Sequence, residues 1–132
     1  MIFVDTGAWF AAFVPNDAHH AAARRWLDSN TEPLLTSDYV LDELLTLLRV
    51  RGEQSRAFIL GEQILSESIV SLHLVTVREI QVAFEIFRKF DDKAWSFTDC
   101  VSRVVMEELK IPTAFAFDDH FRQFGMVTVV PS

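Results

Sequence analysis

Residues 2–13 read IFVDTGAWFAAF, and the interpretation of this stretch decides how the rest of the chain is read. Ile2, Phe3 and Val4 form a short, fully apolar run, the pattern of a parallel strand covered on both faces. Gly7 to Val14 then follows as a helix closed by Pro15. Asp5 stands at the junction, where it is either a helix N-cap or an acid presented at the end of a strand.

The same alternation continues outward. Asn16 or Asp17 is placed to cap a second helix through Ala18, Ala21, Ala22, Trp26 and Leu27. Residues 33–36 (PLLT) read as a second strand, and Ser37 or Asp38 caps a helix over 39–50 that stops near Gly52. A helix over 53–68 leads to a strand over 70–75. Thr76 to Glu79 is a capping-box sequence, after which Val77, Ile80, Phe84 and Phe87 recur at helical spacing. Past the polar turn Asp91-Asp92-Lys93 come a helix over 97–109, a strand over 112–117, a short helix over 119–124 and a last strand over 126–130. Strands alternating with helices predict a single α/β domain, residues 1–132, built as a three-layer α/β/α sandwich around a central parallel sheet. They also exclude one reading of Asp5-Thr6-Gly7. This triplet resembles the catalytic loop of an aspartic protease, whose two aspartates share a proton, but such a domain is nearly all-β. Here the triplet enters a helix.

Composition bounds the function. The 132 residues are half apolar, with 12 Phe and three Trp but only four Gly and four Pro, which excludes a disordered or low-complexity chain. A single cysteine, Cys100, forms no internal bridge, and beside Asp99 it reads as a small buried residue rather than a nucleophile. No basic start or apolar run of membrane-spanning length occurs, so a cytoplasmic protein without a membrane is expected. The formal net charge of −7 argues against a nucleic-acid partner, since phosphate affinity comes from Lys and Arg. Acids collected for a metal are counted in that total, however, and a bound cation reverses their local sign. Arg49 and Arg51, following a helix that carries a candidate ligand, are the preferred phosphate contacts. Twelve Phe are many for one small domain, and some are expected to form a homodimer face.

Four acids fall at strand ends or in the helices that follow. Asp5 ends the first strand, Glu43 lies in the helix after the second, Asp99 opens the helix after the polar turn, and Asp118 follows Ala114-Phe115-Ala116-Phe117. In open parallel sheets such positions converge outside the carboxyl ends of the strands. Each Asp also has a capping reading: Asp5 before Thr6, Asp99 in the box Ser96-Phe97-Thr98-Asp99, and Asp118 before the short helix. Glu43 lies too deep in its helix to cap, and neighbouring Asp42 points about 100° away, so the sequence leaves open which of the two faces inward. His19-His20, His73 and His120 read as surface, half-buried strand and packing or substrate-touching residues.

In order and spacing, I-F-V-D-T, T-S-D-Y-V-L-D-E-L-L, S-F-T-D-C and A-F-A-F-D-D-H-F resemble the PIN domain and, within it, the VapC-type toxin ribonucleases. By this resemblance Asp5, Glu43, Asp99 and Asp118 match the four family acids, with Asp119 an alternative for the fourth, and Thr6 matches the hydroxyl residue after the first.

The resemblance implies a divalent-metal-dependent endoribonuclease, the toxin of a toxin-antitoxin pair, with RNA as substrate and a small antitoxin as protein partner. Mg2+, or Mn2+ in its place, suits such a set, because hard cations favour carboxylate and water oxygens. Two carboxylates about 5 Å apart repel by roughly 3 kcal/mol at an effective dielectric near 20, which a divalent ion relieves. Implied chemistry is in-line attack on a phosphodiester by a metal-activated water, with Asp99 or Asp118 taking the proton. The other reading is a PIN-like module that binds RNA or protein without cutting, against which the four acids count.

Overall fold

In the computed structural model, which describes residues 1–132, Ile2–Val4 (β1) is a strand with all three side chains buried. It is followed in chain order by Thr6–Phe13 (α1), His20–Ser29 (α2), Leu34–Ser37 (β2), Asp38–Val50 (α3) and Gln54–Leu65 (α4). Ser71–His73 (β3), Val77–Lys89 (α5), Phe97–Glu108 (α6), Thr113–Phe115 (β4), His120–Gln123 (α7) and Thr128–Val130 (β5) complete the chain. The strands form one sheet in the order β3-β2-β1-β4-β5, and every pairing is parallel. Helices α1 to α4 contact one another, as do α5 to α7, with α3 also touching α6, the arrangement expected when right-handed crossovers run first away from β1 and then back past it.

β1 is apolar throughout because it is the central strand, paired to β2 on one side and β4 on the other. Burying each of Ile2, Phe3 and Val4 contributes about 1.5–3 kcal/mol. Trp9, also buried, keeps its indole N–H satisfied by donating to Thr36 Oγ1, which in turn donates to the Val4 carbonyl. That chain of bonds fixes α1 against the ends of β1 and β2.

All the expected strands and helices are present, with differences at their ends. The second helix begins at His20 because Asp17 Oδ2 accepts the His19 amide and holds the preceding residues in a turn. The helix expected over 53–68 ends at Leu65, and Glu67 then takes a left-handed φ of 56°. β3 is shorter than 70–75 because it is an edge strand whose continuation is diverted: the Val75 amide donates to Asp38 Oδ1 instead of a neighbouring strand. Side chains thus replace ladder bonds at this edge, where Glu67 Oε1 also accepts the Leu72 amide.

The sheet order sets the position of the site. From β1 the chain builds outward to β2 and β3, then returns to β4 on the other side of β1. The carboxyl ends of β1 and β4 therefore flank a switch point, where parallel sheets open a crevice. There the Asp5 amide donates to the Phe115 carbonyl at 3.0 Å.

Candidate active site

Asp5 occupies the N-cap position of α1 with extended backbone angles, yet its side chain makes no capping hydrogen bond. The capping reading thus leaves its carboxylate unexplained. That carboxyl is only 3% exposed, and its pKa is raised well above the ordinary range. Burial is the first cause, followed by the charges of Asp118 and Asp99; Glu43 adds to them and the Thr6 amide opposes. The three other acids singled out in the sequence all lie close enough to act on Asp5.

Asp99 caps a helix and also belongs to the cluster of acids around Asp5. Its Oδ2 accepts the Ser96 amide at 3.0 Å while Ser96 Oγ accepts the Asp99 amide at 3.0 Å, a complete capping box opening α6. The same Oδ2 lies 2.6 Å from His120 Nδ1. Asp118, just beyond β4, accepts the His120 amide on Oδ1, the short Asx turn that leads into α7. Its pKa is raised by burial and by the Asp99 charge, against the opposing influence of His120. Asp99, Asp118 and His120 offer ligand atoms that all lie within 4.8 Å of one another.

Glu43 is half-buried on α3, whereas Asp42 is exposed, so Glu43 is the acid that faces inward. Both line a depression with Thr46, Leu47, Val50 and Thr98, and neither belongs to the tight three-residue cluster. Asp119 is exposed at the N-cap of α7, caps nothing with its side chain and also stands outside the cluster. Arg49 and Arg51 diverge: Arg49 lines a depression with Leu45, Thr46, Ala57 and Phe58, while Arg51 lines the one beside Asp118.

His120 is the residue whose place the sequence reading underrated. The available signal was its position two residues after Asp118, the spacing of an Asx turn. His73 pairs with the buried Glu79, and His20 Nδ1 bonds the Ala11 carbonyl, so neither ring belongs to the acid cluster. Cys100 is buried, and burial followed by the Asp99 charge raises its thiol pKa despite Arg103, which leaves it inert as a nucleophile.

The donor set fits a hard divalent ion. It consists of carboxylate oxygens gathered around a buried acid, and Thr6 Oγ1, one residue on, is buried without a hydrogen-bond partner. The imidazole Nδ1 is engaged by Asp99, which makes His120 an orienting partner of the carboxylate.

The PIN domain family profile matches residues 2–126. The 23S rRNA-specific endonuclease VapC20 of Mycobacterium tuberculosis is 37% identical over 131 residues, covering 99% of each chain. The crystal structure of that protein, described as a sarcin-ricin loop cleaving toxin, superposes with a TM-score of 0.92 at 35% identity, covering 99% of this chain and 100% of the other. A VapC ribonuclease of Archaeoglobus fulgidus is 32% identical over 124 residues, covering 89% of this chain and 77% of its own length. With its parallel sheet, its acids at the β1/β4 switch point and this similarity along nearly its whole length, the chain belongs to the PIN domain family.

Proposed function

We propose that this protein is a divalent-metal-dependent endoribonuclease and the toxin of a VapBC-type toxin-antitoxin pair. The observation that carries the proposal is the buried Asp5 carboxyl at the switch point, within the influence of Asp99, Asp118 and Glu43. Such an arrangement of like charges is unfavourable alone and becomes favourable around a cation. Mg2+ is the proposed ion, with Mn2+ able to replace it, and Asp5, Glu43, Asp99 and Asp118 are the proposed ligands and catalytic acids. When bound, the ion supplies positive charge against the phosphate and acidifies a water. His120 donates to Asp99 and holds its carboxylate in place. Asp99 or Asp118 accepts the water proton as the water oxygen bonds to phosphorus and the P–O bond to the leaving ribose oxygen breaks.

The proposed substrate class is ribosomal RNA, by similarity to the relative that acts on 23S rRNA. A small antitoxin that covers the acidic crevice is the proposed protein partner. The single domain spans residues 1–132, which share one hydrophobic core of 33 buried residues. No helix is long and apolar enough to cross a membrane, in keeping with the proposed cytoplasmic location. Val77, Phe84 and Phe87 of α5 are exposed and supply an apolar face for the proposed homodimer.

The test is cleavage of structured and unstructured RNA by partner-free protein in Mg2+ or Mn2+, in chelator, and with Asp99→Asn. Cutting that requires metal and disappears in the variant is expected. Cutting that persists in chelator or in the variant would overturn the assignment.

A further inference from the structure

Next to Asp118 lies a depression of about 330 Å³ that the chemistry of the four acids leaves unused. His19 and Phe117 line it as a stacked pair, ring centroids 4.6 Å apart and planes 11° from parallel. His19 is exposed, its ring makes no hydrogen bond, and its backbone is pinned by Asp17 Oδ2. Arg51 lines the same depression, its guanidinium 5.7 Å from the Phe10 ring centroid. Arg24, Arg56, Arg78 and Arg103 are each paired with an acid, but Arg51 is not.

Gly7 supplies a second, independent observation. It lies in α1, where glycine is destabilising relative to alanine, and its backbone is not left-handed. The nearest atom to a Cβ placed there is Asp5 Oδ2 at 4.0 Å, an ordinary contact. Neither conformation nor internal packing therefore requires the glycine. The glycine lines the depression, and a Cβ there would stand next to the Asp5 carboxylate, so its absence leaves that side of Asp5 uncovered by a side chain at position 7.

We infer that this depression seats one unpaired nucleotide of the RNA beside the scissile phosphate, with its base against the His19–Phe117 pair and a phosphate on Arg51. The inference rests on the ribonuclease reading above and names the part of the crevice that holds the strand. Aromatic faces stack on bases released from a duplex, which is how proteins hold RNA loops and single strands. An unpaired arginine is the group to position a phosphate approaching a crevice that is otherwise acidic. The continuity of the depression with Asp118 places such a nucleotide next to the reacting bond.

The test uses the intact protein and a sarcin-ricin-type RNA stem-loop carrying an abasic nucleotide at each loop position in turn. Binding is read by fluorescence anisotropy in Ca2+ and cleavage in Mn2+. His19→Ala is expected to weaken RNA binding and kcat/KM about tenfold, the scale of one lost base stack, with Mn2+ affinity unchanged. His19→Phe should restore most of the loss. At one loop position, removing the base should cost the wild type the same factor and cost His19→Ala nothing further. Wild-type binding and cleavage by His19→Ala, or abasic penalties that multiply with the His19→Ala penalty at every position, would overturn the inference. If the wild type shows no metal-dependent cleavage of any RNA while the His19-dependent binding remains, the nuclease reading falls and the nucleotide site stands.

Discussion

His120 Nδ1 and the Ser96 amide both donate to a single oxygen of Asp99, Oδ2, at 2.6 and 3.0 Å, and Oδ1 is left without a protein donor. A carboxylate held on one oxygen by two donors presents the other in a fixed direction. His120→Ala is therefore expected to leave the fold intact and to lower metal affinity and cleavage by about 10–100-fold, the usual effect of losing an orienting partner. Mn2+ titration by calorimetry, alongside single-turnover rates, checks this; an unchanged affinity would show that Ser96 alone suffices.

Asp5→Asn should stabilise the metal-free protein while abolishing cleavage. The buried Asp5 carboxylate is opposed by desolvation and by Asp118, Asp99 and Glu43, and the neutral amide escapes the repulsion and the larger part of the desolvation. A gain of roughly 1–2 kcal/mol is expected in chelator, as for other substitutions that relieve a functional site. Urea unfolding in EDTA measures it, and a variant less stable than the wild type would contradict the electrostatic account.

Metal binding should weaken as pH falls, and from a higher pH than ordinary carboxylates would require. Asp5 and Asp118 both have raised pKa values, so protons compete with the ion at these positions before typical surface acids titrate. For the metal-free protein the sign reverses. An acid whose pKa is higher folded than unfolded destabilises progressively as pH rises from the unfolded value through the folded one. Thermal midpoints with and without Mn2+ across the acid range should therefore diverge as pH increases, and parallel curves would refute the prediction.

A separate pH dependence belongs to the far edge of the sheet. Burial would raise the Glu79 carboxyl, but the Thr76 amide and the His73 ring together bring its pKa below the ordinary value. An acid depressed in the folded state contributes stability above its unfolded pKa, and this is lost as pH falls through the folded value. Glu79→Gln keeps a capping residue at this position yet removes the charge. It should cost about 1–2 kcal/mol near pH 7 and flatten the acid side of the stability profile, as measured by urea unfolding from pH 3 to 7.

The order of strands and helices was legible because apolar runs and capping sequences are local signals. Thr76-to-Glu79 and Ser96-to-Asp99 form the boxes their spacing announced. For Asp99 capping and a place in the acid cluster are not exclusive, since the Oδ2 that closes the box with Ser96 also meets His120 and leaves Oδ1 free. Glu43 over Asp42 was settled only by the rotation of α3 against its neighbours, which a 100° step between adjacent residues does not specify. His120 and the His19–Phe117 stack were not legible, because residues 99 and 120, or 19 and 117, meet only through the closed sheet. β3 was read too long for a similar reason: the Asp38 carboxylate that diverts Val75 comes from another element.

The pairing of Ile2 with Thr113, and of the Asp5 amide with the Phe115 carbonyl, has a consequence for synthesis. The central strand β1 is made well before its partner β4, so the acids meet only after that long-range pairing closes. Contacts so distant along the chain form late and slowly. A growing or truncated polypeptide that has not reached Asp118 carries Asp5, Glu43 and Asp99 without the crevice that unites them. On the ribonuclease reading proposed above, the crevice is thus assembled only once β4 and Asp118 are available to join β1.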